Sequence, residues 1–343
     1  VHATPTDSAG SGVAEPAGVH TGKVIALAIV GALGGFLFGY DSSVINGANQ
    51  ALYGYFGISN AVLQGFVVSV ALLGSAVGAF VGGGLADRYG RKRVMTIAAL
   101  LFLIAGIGTA FPFGIPDFIV WRIVGGFAIG LAAVISPMYI SEIAPSHLRG
   151  RLTSLFQFAI VIGIFSTQLV NEIIIGVAGG SAADDLGPLA AWRWMFLMMI
   201  VPALIYGVLA ARLPESPRYL VARGRDDEAA SVLRRIFIGD VTATVASIRA
   251  SLVQDRKPRL SDLRGARGGL VPIVWIGIGL AVFQQFVGIN AVFYYSNLIW
   301  ASVGFDESTA FLTSTITSVV NVVFTVVAIL LVDRIGRKPL LLI

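Results

Sequence analysis

Apolar residues run along this chain in long blocks, not in narrow stripes. Charge-poor stretches at about 24–46, 61–86, 94–112, 117–140, 152–176, 192–211, 271–301 and 309–332 each reach the roughly 20 apolar residues a bilayer crossing takes. They predict eight helices, because backbone facing lipid has to satisfy its own hydrogen bonds. A soluble all-helical protein would instead show an apolar stripe with a 3.6-residue period. A ninth apolar run begins at Pro339.

Polar segments between the blocks carry a second pattern. If the eight spans alternate in direction, Lys23, the cations at 88–93, 149–151 and 334–338, and the long basic run from Arg212 to Arg267 all fall on one side. Of the 24 Lys and Arg, only Arg193 falls on the other side, and Arg122 lies inside a span. The opposite loops hold Asp117, Glu172, Asp184, Asp185, Asp306 and Glu307. Cation-rich loops stay in the cytoplasm, so the N-terminus and the loop at 213–270 are expected there, in a multi-pass protein of the cell membrane. A net charge of +5 placed this way points to a lipid bilayer as partner, not to nucleic acid.

Composition adds limits. The chain is 56% hydrophobic and 13% charged, with 41 Gly and no Cys. Disulfides and thiolate metal sites are therefore excluded. There is no P-loop, no metal-ligand spacing and no nucleophile–base arrangement around the three His, so neither an enzyme nor a metal or other cofactor is expected. Residues 1–22 are rich in Ala, Gly, Ser, Thr and Pro and read as a disordered cytoplasmic tail. They lack a basic n-region and a cleavage site, so the first span stays in the membrane.

"DRYGRKR" at 87–93 returns as "DRIGRKP" at 333–339. Each copy follows the second span of a group, which makes two parallel halves, a transporter arrangement. Residues 23–212 form a six-helix N-terminal bundle and 213–270 a cytoplasmic linker. Residues 271–343 hold helices 7 and 8 and the beginning of the ninth, the start of a C-terminal bundle. By the repeat, that half would run to about residue 460, so the chain reads as a fragment. In the linker, "RDDEAASVLRRI" predicts a short amphipathic helix with Ala229, Val232, Leu233 and Ile236 on one face.

Chemistry concentrates at a few positions. Asp41 and Arg122 are the full charges well inside the spans, and intramembrane charges mark function and pair with one another. Asp41 lies about five residues before the first span ends and Arg122 about five after the fourth begins. Both therefore sit roughly 7 Å below the same surface. Burial favours a neutral acid and a nearby guanidinium favours the carboxylate, so the pair is a candidate proton switch; a permanent structural ion pair is the plain alternative.

"QQFVGIN" at 284–290, followed by "FYYS", supplies Gln284, Gln285, Asn290 and Tyr294. Amides both donate and accept, as a neutral polyol requires, and aromatic faces cover its apolar patches. Gln285 and Asn290 cannot share a face of an ideal helix. A common site needs a break, and Gly288 is placed to supply it. Gln157, Ile164 and Gln168 lie on one face of the fifth span, and Asn321 stands alone in the eighth. Amides in spans also act simply as interhelical hydrogen-bonding groups. On the cytoplasmic side, "GGGLADRYGRKR", "SEIAPSHLRGR", "PESPRYL" and "DRIGRKP" bring Asp87, Arg88, Arg91, Glu142, Arg149, Glu215, Arg218, Asp333, Arg334 and Arg337. Singly, exposed ion pairs are weak; as a network they could latch one conformation.

Taken in order, "GGFLFGYD", "GGGLADRYGRKR", "PMYISEIAPSHLRGRL", "PESPRYL", "QQFVGINAVFYYS" and "DRIGRKP" resemble the sugar porter family of the major facilitator superfamily, over residues 23 to 343. The resemblance implies an all-α membrane protein with the major facilitator fold: a six-helix N-terminal bundle plus a C-terminal bundle truncated in this chain. It is nearest to bacterial proton-coupled hexose and pentose symporters. It implies Asp41 and Arg122 as the proton-coupling pair, and Phe38, Gln157, Ile164, Gln284, Gln285, Asn290, Tyr294 and Asn321 at the sugar. Ile164 departs from the xylose–proton symporters, which have a second Gln there. Facilitative glucose carriers share the Ile but lack the Asp. The resemblance thus implies symport of a neutral monosaccharide, glucose favoured and another hexose or xylose next, by a monomer using alternating access. A facilitative uniporter and a transporter-like sugar sensor are the alternatives.

Overall fold

The computed structural model describes residue 16, residues 18–254 and residues 270–335, with side chains to residue 253 and from 270 to 331. Eight spans are present. The first five are single helices: α1 (Thr21–Phe56), α2 (Ala61–Tyr89), α3 (Arg91–Ala110), α4 (Ile115–Ile143) and α5 (Arg149–Ala178). The sixth is split into α6 (Ala191–Leu197) and α7 (Ile200–Arg212). Three linker helices follow, α8 (Pro217–Ala222), α9 (Asp226–Ile236) and α10 (Thr242–Gln254). The seventh span is split into α11 (Pro272–Phe286) and α12 (Ile289–Ser302), and the eighth is α13 (Glu307–Ile335).

Close packing in the first six spans rests on small residues. Apolar side chains gain nothing by leaving lipid for one another, so contact area and close backbone approach decide helix pairing. At the α1–α5 crossing, a Cβ on Gly39 would fall on the Ile160 carbonyl oxygen and one on Gly163 on that of Phe36. The α2–α4 crossing is built the same way, with Gly74 and Gly78 against the carbonyls of Ile123 and Phe127, and Gly126 and Gly130 against those of Ala71 and Ser75. Two glycine-lined crossings thus set the spacing of four helices.

Three features differ from the sequence expectation. First, α1 continues to Phe56, ten residues beyond the expected end at 46. Asn46 and Asn49 are buried and remain helical, so polarity there marks a helix contact and not a helix end. Asp41 therefore stands about 22 Å of helix before the end of α1 and not about 7 Å. Second, the segment read as a disordered tail is ordered at its close. Gly18–Val19 (β1) pair antiparallel with Phe237–Ile238 (β4), and the His20 amide donates to the Ile236 carbonyl at 2.8 Å. Third, the loop before α6 contains a hairpin of Asp185–Leu186 (β2) and Leu189–Ala190 (β3). The amphipathic α9 follows its pattern: Ala229, Val232, Leu233 and Ile236 are its buried residues. The ninth run from Pro339 lies outside the described residues.

Candidate functional site

Gly288 breaks the seventh span. Its φ of 79° is in the left-handed region, open to glycine without steric cost. The break turns α12 relative to α11, so that Asn290 Nδ2 reaches Gln285 Oε1 at 2.8 Å. On a continuous helix these residues would diverge. Half-helices meeting at such a break are how transporters present polar groups at membrane depth.

The break faces a cavity of about 420 Å³. Phe38 from α1, Gln157 and Ile164 from α5, Gln284 and Gln285 from α11, Asn290 and Tyr294 from α12 and Asn321 from α13 all line it. Every residue assigned to the sugar from the sequence is therefore on one wall or another of a single space. Gly39, at the close α1–α5 crossing, belongs to the lining as well. Ser42, Ser43 and Thr325 add hydroxyls that the sequence reading did not select.

Asp41 and Arg122 meet. Arg122 Nη1 lies 3.1 Å from Asp41 Oδ1, and both side chains are 2% exposed. Gly125 leaves room for the carboxylate, since a Cβ there would approach Asp41 Oδ2 to 3.2 Å. Asp41 Oδ2 and Arg122 Nε have no hydrogen-bond partner among the described residues. A second cavity, about 470 Å³, reaches Arg122 and Ser75 and shares Phe38, Ser42, Gln285, Asn290 and Tyr294 with the first. The ion pair and the amide cavity are thus separated by one layer of shared side chains.

Beyond the cavity, toward the end where α1 finishes, a polar network ties α1, α5, α12 and α13 to one another. Asn46 Nδ2 donates to Ser296 Oγ at 2.9 Å and to Gln168 Oε1 at 3.4 Å, and Asn46 Oδ1 accepts from the Asn297 amide at 3.1 Å. Ser314 Oγ donates to Asn297 Oδ1 at 2.5 Å. Gln168 Nε2 donates to Ser43 Oγ at 3.2 Å, and Asn49 Nδ2 to the Tyr294 carbonyl at 2.8 Å. Gln168 appeared in the sequence only as a third residue on the α5 face. Asn46, Asn49, Ser296, Asn297 and Ser314 were not singled out, although "VINGANQ" and "YYSN" interrupt apolar runs. At the edge of this network Asp306 caps α13. Its carboxylate accepts from Thr309 Oγ1 at 2.6 Å and from the Thr309 amide at 3.1 Å. Hydrogen bonds from Ser308 and Thr309 pull its pKa down to about 2.

The opposite end gathers the charges. Arg91 grips Glu142 with two bonds, Nε–Oε2 at 3.0 Å and Nη2–Oε1 at 2.9 Å, and pairs with Asp87 at 3.1 Å. Glu215 Oε1 accepts from the amides of Arg91, Lys92 and Ser216, where a helix start favours an anion. Arg88 lies over the Tyr89 ring, 5.3 Å away, and its carbonyl accepts from Tyr219 and Arg223. Arg149 makes no ion pair among the described residues, and Arg218 is held by an interaction. The side chains of Asp333 and Arg334, and all of Arg337, lie outside the described residues.

Broken and unbroken spans around a central cavity lined by amides are the arrangement of a multi-pass membrane protein. The chain belongs to the sugar (and other) transporter family, which it matches over residues 27–343. It is 54% identical to a glucose transport protein of Synechocystis sp. over 320 residues, 93% of this chain and 68% of that protein. It is 39% identical to a D-xylose-proton symporter of Escherichia coli over 350 residues, 93% of this chain and 69% of that protein. Its fold is the major facilitator fold. The E. coli xylose transporter in a partially occluded inward-open conformation matches with a TM-score of 0.81 at 37% identity, covering 92% of this chain and 75% of that one. The same proton:xylose symporter bound to 6-bromo-6-deoxy-D-glucose matches with a TM-score of 0.79 at 38% identity, covering 93% and 71%.

Proposed function

We propose that this chain carries the sugar site and the proton site of a proton–monosaccharide symporter working by alternating access, with glucose as the favoured substrate and another hexose or xylose next. The observation that carries the reading is the shared wall: amides and aromatic faces suited to a neutral sugar line one cavity, and a buried acid–guanidinium pair stands behind that lining. The names of the relatives, glucose transport protein and D-xylose-proton symporter, support both halves of it.

Gln157, Gln284, Gln285, Asn290 and Asn321 offer donors and acceptors to hydroxyls, Phe38 and Tyr294 cover C–H faces, and Ile164 gives an apolar contact. Protonating Asp41 removes the charge that holds Arg122, which frees α1 from α4. Deprotonation restores the pair. Sugar in the adjacent cavity is sensed through residues common to both spaces. The orientation that accompanies this reading puts the N-terminus, the 213–270 linker and the Arg91–Glu142 cluster in the cytoplasm of a monomer in the cell membrane.

Asp41→Asn keeps the size of the side chain and fixes it in a neutral form. In vesicles containing the protein, the variant should lose concentrative sugar uptake driven by a proton gradient and keep counterflow exchange. Continued concentration of sugar by Asp41→Asn would overturn the coupling role. The orientation has its own check, since the chain has no native Cys: a cysteine placed at Lys92 should resist impermeant reagent applied outside intact cells.

A further inference from the structure

A further cavity lies away from the centre. A groove of about 550 Å³ runs between α3 and α7 on an exposed apolar face. Its sides are apolar, from exposed Ile97, Leu100, Leu204 and Val208. Its floor is low because Ala99 faces Gly207, where a Cβ would come within 3.4 Å of the Ala99 side chain. At one end stand Lys92 and Arg93.

These two cations are left over from the motif that contains them. In "DRYGRKR" the charge cluster uses Asp87 and Arg91, and Lys92 is engaged through its backbone, its amide donating to Glu215 and its carbonyl accepting from Thr96. Neither Lys92 nor Arg93 forms an ion pair among the described residues. Two free cations at the mouth of an apolar groove are a mismatch for bulk hydrocarbon and a match for a lipid with an anionic head. Length agrees with this. From Lys92 to Leu103, the far lining residue of α3, the helix rises about 16 Å, close to the ~15 Å depth of one leaflet's hydrocarbon.

We propose that this groove holds one acyl chain of an anionic phospholipid, with the headgroup phosphate between Lys92 and Arg93. The leaflet is the one that faces the basic loops, the cytoplasmic leaflet in the orientation proposed above. Basic pockets between spans on that side are suited to anionic headgroups. The binding is separate from the sugar cavity, so it stands or falls independently of the substrate.

The test is native mass spectrometry of the detergent-purified protein, titrated with phosphatidylglycerol or with phosphatidylcholine of the same acyl chains. One phosphatidylglycerol should be retained at concentrations where phosphatidylcholine is not. A cation near an anionic surface changes affinity about 5-fold, so Lys92→Ala with Arg93→Ala should weaken retention roughly 30-fold. The charge-conserving pair Lys92→Arg with Arg93→Lys should retain it, which guards against a folding defect in the alanine variant. Filling the groove at the exposed Ala211 with Ala211→Trp should also lower retention. Equal retention of the two lipids, or unchanged phosphatidylglycerol binding in the double alanine variant, would overturn the headgroup site. Competition by glycerol 3-phosphate would show a free phosphate-ester site instead, and indifference to Ala211→Trp would remove the acyl chain from the groove.

Discussion

Two polar clusters lie one above the other, the cavity's amides on α5, α11, α12 and α13 and the second network on α1, α5, α12 and α13, and they are not alike. In the central cavity Gln157 and Gln284 have no hydrogen-bond partner among the described residues, and Gln285 and Asn290 are tied only to each other. In the network nearer the end of α1, Asn46 bonds to residues of both α5 and α12, Asn49 bonds to α12, and Ser314 of α13 bonds to Asn297. Residue type does not separate the two clusters; where their hydrogen bonds go does. Amides with spare donors and acceptors are suited to a ligand. Amides that satisfy one another across helices hold those helices together, and parting them exposes buried groups without partners, at a cost of about 1–3 kcal/mol each.

The sharpest way to break the contrast is at Asn46. Asn46→Ala removes the partner of the Asn297 amide and the links to Ser296 and Gln168. If the network is a closure, the state in which it is parted should gain about 5- to 150-fold in relative population, from one lost bond network worth about 1–3 kcal/mol. Thr315 is buried and its hydroxyl has no partner among the described residues, so Thr315→Cys is a quiet reporter. Its reaction with a thiol reagent from outside should accelerate in the Asn46→Ala background by that order. An unchanged rate would mean the network is ordinary packing.

The opposite outcome is expected in the cavity. Gln157→Ala and Gln284→Ala should each weaken sugar binding by about 0.5–1.5 kcal/mol, or up to ~10-fold, because a hydroxyl loses one neutral partner. Neither should alter the reactivity of Thr315→Cys in the absence of sugar. A change in that reactivity, with affinity intact, would move these glutamines into the closing network and erase the distinction.

The sequence made one cluster legible and hid the other for a physical reason. Gln284, Gln285 and Asn290 stand in a dense polar motif around a glycine, and Asp41 and Arg122 are charges in apolar runs; both signals are local. Asn46, Asn297 and Ser314 are local only as interruptions, and their pairing depends on α1 being ten residues longer than its apolar block. A hydropathy pattern ends a helix at its polar residues, which is where this network begins. The two helix breaks differ in the same way. Gly288 announces the break in the seventh span at the break itself, by its conformational freedom, whereas the division of the sixth at Met198–Met199 is set four residues downstream, by Pro202, which has no N–H for the Met198 carbonyl. Arg149 shows a further limit: its motif suggests a place in the charge network, yet it makes no ion pair among the described residues. The groove between α3 and α7 was invisible because small residues on two separate helices leave no joint mark on the sequence.

The smallest expected effect lies at the rim of the network, where Asp306 starts α13. Hydrogen bonds from Ser308 and Thr309 hold its pKa at about 2, below the ordinary carboxylate value of 3.8. With the folded value depressed, the stabilisation from the ionised cap is complete above about pH 4 and is lost as pH falls through about 2. Asp306→Ala should therefore speed amide exchange in residues 309–314, since an N-cap acceptor is gone. The ratio of exchange rates between variant and wild type, which cancels the intrinsic effect of acid, should stay level from pH 8 to pH 5 and shrink only below about pH 4. Because Asp306 is fully exposed and touches none of the residues that Asn46 bonds, Thr315→Cys reactivity should move far less than it does in Asn46→Ala. A ratio that already changes between pH 7 and pH 5 would assign the sensitivity to another titrating group. A labelling change as large as that of Asn46→Ala would place the closure at the helix cap and not in the amide network.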